Sequence, residues 1–72
     1  MNNMLLVRAE KFLGELDIES RRNGNVLMVS RDSMANWPLD PDELLGEMRA
    51  ECCTTRIFWG GKDDEWLYLD CI

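Results

Sequence analysis

The sequence predicts an α+β fold, a two-layer αββαββ domain in which two helices pack on one face of a four-stranded antiparallel sheet. Three observations lead to this prediction. Two segments carry apolar residues at helical spacing, an Asn-Gly pair separates two strand-like segments, and a glycine-led polar segment separates two more. With 72 residues, the chain has the length of one small domain, which we place over residues 1–72.

The first helix is predicted over residues 4–15. Asn2 or Asn3 can cap its first turn, because a side-chain amide oxygen can accept a hydrogen bond from the free backbone amides there. Charged residues occupy one side of this segment, and apolar residues recur on the other, at Leu5, Ala9, Phe12, Leu13 and Leu16. This is the pattern of an amphipathic surface helix.

A β-hairpin is predicted next, with residues 17–22 and 26–30 as its strands. Asn23-Gly24 between them is a strong signal for a two-residue type I′ turn. Moving the turn one residue along the chain would place Ile18 opposite Arg31, so we reject that register. The chosen register gives a core face made of Ile18, Leu27 and Val29.

Residues 31–38 are predicted to be a linker that contains a single helical turn. Asp32 and Ser33 can cap such a turn. Pro38 prevents a longer helix, since the residue before a proline avoids the helical region. Trp37 has two interpretations, a lid over the core or an exposed anchor for a partner.

The second helix, predicted over residues 41–51, has the clearest boundaries. Asp40 is the expected N-cap, and a proline at the first helical position loses no hydrogen bond. Glu43 can complete a capping box with Asp40, and Leu39 can pack on Leu44 as a hydrophobic staple. The apolar stripe of this helix consists of Leu44, Leu45, Met48 and Cys52.

A second hairpin is predicted from strands at residues 53–59 and 65–71, which are rich in aromatic and β-branched residues. Residues 60–64, GGKDD, are the expected loop. This register pairs core-face residues Ile57 with Leu67 and Thr55 with Leu69, and it sets Cys53 opposite Cys71, close enough for a disulfide in an oxidising compartment.

The opposite face of the sheet is predicted to carry large apolar side chains that no helix covers. A cation–π contact of Arg56 with Tyr68 or Trp66 is expected there. An exposed apolar surface of this kind suggests a partner or a second copy of the chain. The residues concerned are Val26, Met28, Phe58, Trp66 and Tyr68.

The acidic composition of the chain indicates which class of molecule it can bind. Fourteen acidic against eight basic residues give a formal charge of −6, which repels nucleic acids and anionic membranes and favours a basic protein partner. No apolar segment has the length of a membrane span, and the first residues lack the features of a secretion signal. The cytoplasm is therefore the expected compartment.

The residue types needed for common catalytic and metal sites are missing from the sequence. There is no histidine, and the three cysteines lack the CxxC spacing of a zinc site. The segment Asp63-Asp64-Glu65 has neither the number nor the spacing of ligands in a calcium loop. We therefore predict a protein that is not an enzyme and holds no cofactor or metal, with its cysteines as reduced thiols.

The predicted function is that of an acidic interaction protein that binds and inhibits a basic protein, of the kind that itself binds nucleic acid, by imitating a phosphate backbone. In size and charge the chain is similar to the small acidic inhibitors that phages and mobile elements encode against restriction or CRISPR machinery. The alternative is a homodimer formed through the aromatic residues Phe58, Trp66 and Tyr68. The candidate acidic contacts are Asp40, Glu43, Glu47 and Glu51, which follow one helical line, together with Asp63 and Asp64.

Overall fold

The computed structural model describes residues 3–38 and 40–71, and it confirms the predicted α+β fold. Two helices contact one antiparallel sheet of four strands, whose order is β1-β2-β4-β3. The elements are α1 (Asn3–Glu15), β1 (Ser20–Asn23), β2 (Val26–Ser30), a single 3₁₀ turn (Ser33–Asn36), α2 (Pro41–Glu51), β3 (Ile57–Lys62) and β4 (Trp66–Cys71).

The core lies between the two helices and one face of the sheet. The central strands β2 and β4 set Leu27 opposite Leu69 and Val29 opposite Leu67, and these four side chains are buried. Burial of this apolar surface is the main stabilising contribution to folding. The helices and β3 complete the core with Leu6, Ala9, Leu13, Ile18, Leu44, Leu45, Met48, Cys52 and Ile57.

Helix α1 has nearly the predicted bounds, but the residues on its buried face differ in part from the prediction. Leu6 is fully buried, whereas Leu5 is only partly buried. Ala9 and Leu13 lie in the core as predicted. Of the two predicted capping residues, Asn3 is the first described residue of the helix, and Asn2 lies outside the described residues.

Both helices end in a Schellman motif, in which a residue with positive φ follows the last turn. After α1, Asp17 has φ of 60°, and the Ile18 amide donates to the Leu13 carbonyl at 2.9 Å. After α2, Cys53 has φ of 53°, and the Thr54 amide donates to the Arg49 carbonyl at 3.0 Å. Ile18 and Cys53 therefore belong to helix ends, and the prediction that both lie in strands is wrong.

The first hairpin has the register with the turn one residue further along the chain, so the predicted turn at Asn23-Gly24 is wrong. Its loop is Gly24-Asn25, and Ser20 lies opposite Val29. Gly24 alone in this loop has a positive φ, 63°, which matches the glycine-first arrangement of a type II′ turn. This register was expected to place Ile18 opposite Arg31. In the structure Ile18 belongs to the Schellman motif after α1, is buried in the core and has no partner on β2.

The second hairpin also differs from its predicted register, by four residues. Ile57 lies opposite Cys71, where Leu67 was expected. Gly60 and Gly61 continue β3 through a bulge between Trp59 and Gly61, so the predicted loop over residues 60–64 is too long. The predicted pairing of Cys53 with Cys71 is therefore wrong, because Cys53 lies at the end of α2.

The absence of a side chain on Gly60, at the bulge, leaves room for a neighbouring carboxylate. A Cβ atom on Gly60 would collide with the carboxylate of Asp70 on β4, whereas one on Gly61 would meet Tyr68 Cδ2 at an ordinary distance of 3.9 Å. Only the first of the two glycines therefore has a steric reason to lack a side chain.

The linker forms a single helical turn, as predicted. Trp37, which follows this turn, is partly buried and packs against the core, in agreement with its interpretation as a lid. Asp32 makes no side-chain capping bond. Ser33 Oγ instead accepts the Glu19 amide at 2.8 Å and donates to the Ser30 carbonyl at 3.1 Å, which joins the turn to the first hairpin.

Helix α2 has the predicted bounds and the predicted cap. Asp40 Oδ1 accepts the Glu43 amide at 3.0 Å. Trp59 Nε1 donates to the Pro41 carbonyl at 3.0 Å, and Arg49 Nε donates to the Ile57 carbonyl at 2.9 Å, so both ends of α2 are bonded to β3. The predicted hydrophobic staple needs Leu39, which lies outside the described residues.

Candidate functional site

The predicted acidic row lies on the helical layer of the domain. All four of its residues are exposed, and within residues 3–38 and 40–71 none of them forms an ion pair. The Asp40 carboxylate is partly engaged by the helix cap, so its charge also stabilises the helix dipole. The row consists of Asp40, Glu43, Glu47 and Glu51.

The C-terminal end of this row is less acidic in the structure than the sequence suggests. Glu51 borders a depression of about 260 Å³ that is also lined by Arg8, Lys11, Phe12 and Glu15 of α1. Two basic side chains near Glu51 reduce the negative potential there. We call the rest of the row, from Asp40 to Glu47, its unopposed part, because these residues do not border that depression with its basic side chains.

A second candidate surface is the sheet face that the helices leave uncovered, called here the open face. Met28 on β2 lies opposite Tyr68 on β4, and Val26 and Phe58 both lie opposite Asp70. Each of the four apolar or aromatic side chains is half-buried. The predicted membership of this face is correct, because the register errors move each strand by an even number of residues.

The turn between β3 and β4 is built by one carboxylate. Asp63 Oδ1 accepts the amides of Glu65 at 2.9 Å and Trp66 at 2.7 Å, and Asp63 Oδ2 accepts the hydroxyl of Tyr68. From the linker, Arg31 Nη1 donates to the Asp63 carbonyl at 2.6 Å. Asp63, predicted as a partner contact, is thus first a structural residue, an Asx turn that also orients Tyr68.

These hydrogen bonds shift the pKa values of both side chains in opposite directions. The pKa of Asp63 is lowered, chiefly by the Tyr68 hydroxyl and then by the Trp66 and Glu65 amides, all of which favour the carboxylate. The pKa of Tyr68 is raised, because its hydroxyl donates to that carboxylate. At neutral pH the turn therefore presents a fixed negative charge beside a neutral phenol.

The predicted cation–π contact exists, but a different arginine makes it. Arg21 on β1 lies over the Trp66 ring, with its guanidinium carbon 5.7 Å from the ring centroid. The same guanidinium is 3.8 Å from a carboxylate oxygen of Glu19. Arg56, the predicted cation, is exposed in the segment before β3. The prediction for Arg56 is wrong because β3 begins later than expected.

The structure brings some of the predicted site residues together and separates others. A shallow depression of about 500 Å³ on the open face combines the acidic turn with the aromatic side chains. The acidic row of α2 lies on the helical layer, away from this depression. Phe58 lies on β3, opposite Asp70 of β4, and does not line the depression. We call this depression the acid-aromatic pocket, and its lining residues are Met28, Asp63, Asp64, Glu65, Trp66 and Tyr68.

Two of the three cysteines, Cys52 and Cys71, have a raised thiol pKa. Burial raises the pKa of Cys52, and burial followed by the nearby Asp70 carboxylate raises that of Cys71. A raised pKa disfavours the thiolate, which is the nucleophilic form. In the part of the chain that the structure describes, no group of three cysteine, aspartate or glutamate side chains is arranged to hold a metal ion.

Comparisons with protein-family models, with curated proteins and with solved structures give no match to this chain. Among the described helices, none combines the length and the apolar character that crossing a membrane requires. The acidic row of α2 and the open face are therefore the features of this chain from which a function is inferred.

Proposed function

We propose that the chain is a non-enzymatic interaction protein that binds a basic protein partner, of the kind that itself binds nucleic acid, and inhibits it by occupying its basic surface. The observation that carries this proposal is the row of exposed carboxylates along α2. Acidic side chains without an intramolecular cation keep their attraction for a partner's lysine and arginine residues. The unopposed part of the row runs from Asp40 to Glu47.

The proposal is tested by reversing two charges of the row. The Glu43→Lys/Glu47→Lys protein should lose its basic partner in affinity capture from nuclease-treated bacterial lysate, while its thermal unfolding remains cooperative. The wild-type complex should elute at moderate salt, because the Debye length falls from about 10 Å at 0.1 M to about 3 Å at 1 M.

A matched control carries the same change in formal charge elsewhere. Glu15→Lys/Asp32→Lys reverses two exposed carboxylates outside α2, and neither side chain forms an ion pair or a capping bond in the described structure. Glu15 borders the depression at the Glu51 end of the row and does not line the part from Asp40 to Glu47. This control should retain the partner. Equal retention by both double variants would show that the α2 row does not contact the partner.

A second candidate function follows from the open face. Its half-buried aromatic residues are Phe58, Trp66 and Tyr68. Among the described elements neither helix packs on this face, and the exposed side chain of Arg21 lies over Trp66. A two-fold homodimer through this face would cover them. Such an interface should persist at 1 M salt, whereas a complex based on opposite charges should dissociate.

A further inference from the structure

We propose that the acid-aromatic pocket on the open face binds an arginine side chain of a basic protein partner. The proposal rests on the function proposed above for the sign of the partner's charge, but it assigns the contact to a different surface from the α2 row. Three features of the pocket support it: a ring that already holds a guanidinium, carboxylates without a cation, and a charge distribution that opposes self-association.

The Trp66 ring shows which chemistry the open face accepts. Its contact with the Arg21 guanidinium, 5.7 Å from the ring centroid, is a cation–π interaction. Arg21 itself is mostly exposed, at 70% of its side chain, so it covers this part of the face loosely. A partner's arginine can therefore replace it or bind beside it.

The pocket also supplies carboxylates for the partner's guanidinium. Asp64 and Glu65 are exposed, and their carboxylates form no ion pair or hydrogen bond with any residue that the structure describes. Asp63 holds the turn that carries them. Arginine suits this arrangement better than lysine, because its planar guanidinium can stack on an aromatic ring and bond a carboxylate at the same time.

The same charges disfavour a second copy of the chain as the occupant. A two-fold contact uses the same surface of both copies, so it would bring two acidic turns and two Asp70 carboxylates into one interface. Against these carboxylates each copy brings Arg21, whose guanidinium already lies 3.8 Å from Glu19. Like charges in an interface oppose association. A partner with arginine residues brings the complementary charge to this surface.

The test is a titration of the ¹⁵N-labelled protein at 0.1 M salt with a short arginine-glycine peptide and with the matching lysine-glycine peptide. The arginine peptide should bind more tightly and shift the indole N–H signal of Trp66, with the Trp37 and Trp59 indoles as internal references. Equal affinity for the two peptides, or an unshifted Trp66 signal, would overturn the proposal.

Two matched pairs of variants locate the contact. Arg21→Gln should raise the affinity for the arginine peptide about two- to fivefold, because it removes an internal competitor at the Trp66 ring. Arg22→Gln makes the same change of charge on the neighbouring residue, which lies near Glu10 of α1, and its effect should be smaller. A reduced affinity in Arg21→Gln would contradict the proposal.

The second pair separates this proposal from the proposed function. Asp64→Asn/Glu65→Gln should weaken peptide binding, and Glu43→Gln/Glu47→Gln should weaken it less. If only the helix variant weakens peptide binding, the open-face site is wrong while a basic partner for α2 remains supported. If the peptide binds through the open face but lysate capture finds no basic protein, the arginine site stands and the proposed inhibitor function fails.

Discussion

The two faces of the sheet have similar apolar residues but very different surroundings. On the covered face Leu27, Val29 and Leu69 have no exposed surface, because α1 and α2 pack over them. On the open face Met28 and Tyr68, which alternate with these residues along the strands, remain half-buried. A two-layer domain needs helices over only one face of its sheet in order to fold. The apolar residues of the other face are therefore available for binding.

The largest expected difference between the faces is in stability. Leu69→Ala should lower the free energy of unfolding by about 2–5 kcal/mol, because it leaves a cavity in the core. Phe58→Ala, on the open face of the neighbouring strand, should cost about 1 kcal/mol. Urea denaturation of both variants measures the difference. An equal loss in the two would show that the open face is part of a core.

The bulge in β3 should show a smaller difference between two adjacent glycines. Gly60→Ala should cost about 0.5–1.5 kcal/mol, because the added methyl group forces the Asp70 carboxylate into another rotamer. Gly61→Ala should change stability by less than about 0.5 kcal/mol. Adding Asp70→Ala should restore much of the loss in Gly60→Ala. Equal effects of the two glycine substitutions would contradict the bulge at Gly60.

The helical layer contains a residue whose replacement should stabilise the protein. Cys53 has φ of 53° at the end of α2, a conformation that glycine adopts without strain. Cys53→Gly should therefore raise the free energy of unfolding by about 1 kcal/mol. Asp17→Gly is the matched control at the end of α1, with a smaller gain, since aspartate tolerates this conformation better. A destabilised Cys53→Gly protein would rule out the Schellman motif there.

The smallest expected effect is the pH dependence of the acidic turn. The pKa of Asp63 is lowered by folding, so its contribution to stability is present above the unfolded value of about 3.9 and is lost as pH falls through the folded value. The pKa of Tyr68 is raised, so its contribution is lost as pH rises above about 10 and through the folded value.

Asp63→Asn tests this pH dependence, because an amide does not titrate. Its melting temperature should change less between pH 7 and pH 3 than that of the wild type, and the comparison removes the effect of the other carboxylates. An identical change in the two proteins would mean that Asp63 is not held by Tyr68 and the two amides.

The sequence predicts the helices well because their signals are local. The bounds of α2 follow from the Asp40 cap and from a proline at the first helical position, which lie within one turn of each other. The Schellman motifs that follow both helices were missed, because their signal at these positions is weak. The usual signal for a Schellman motif is glycine, whereas this chain places Asp17 and Cys53 in the left-handed conformation.

The strand registers were wrong, yet the faces of the sheet were right. Ser20 lies opposite Val29 and not Leu27, and Ile57 lies opposite Cys71 and not Leu67. The first register differs from the prediction by two residues and the second by four. Because side chains alternate between the faces of a sheet with a period of two, a shift by an even number leaves each side chain on its predicted face. The alternation of apolar residues is therefore enough to predict the two faces. The registers depend on the Schellman motif after α1 and on the turn held by the Asp63 side chain, and the apolar alternation indicates neither.

Only part of the acid-aromatic pocket could be predicted. Asp63, Asp64, Trp66 and Tyr68 are close in sequence, so a hairpin necessarily brings them together. The contact of Arg21 with Trp66 depends on the order β1-β2-β4, in which a residue of an edge strand reaches across β2 to the central strand β4. No local signal determines that order.

The most direct test of the account is the mass of the isolated chain in solution, measured by sedimentation equilibrium at 0.1 M and at 1 M salt. If the acidic row and the open face are both free for a basic partner, the chain should sediment as a monomer of 8.4 kDa at both salt concentrations. A stable dimer that persists at 1 M salt and dissociates in the Phe58→Ala or Trp66→Ala protein would contradict it, because the open face would then be occupied by a second copy.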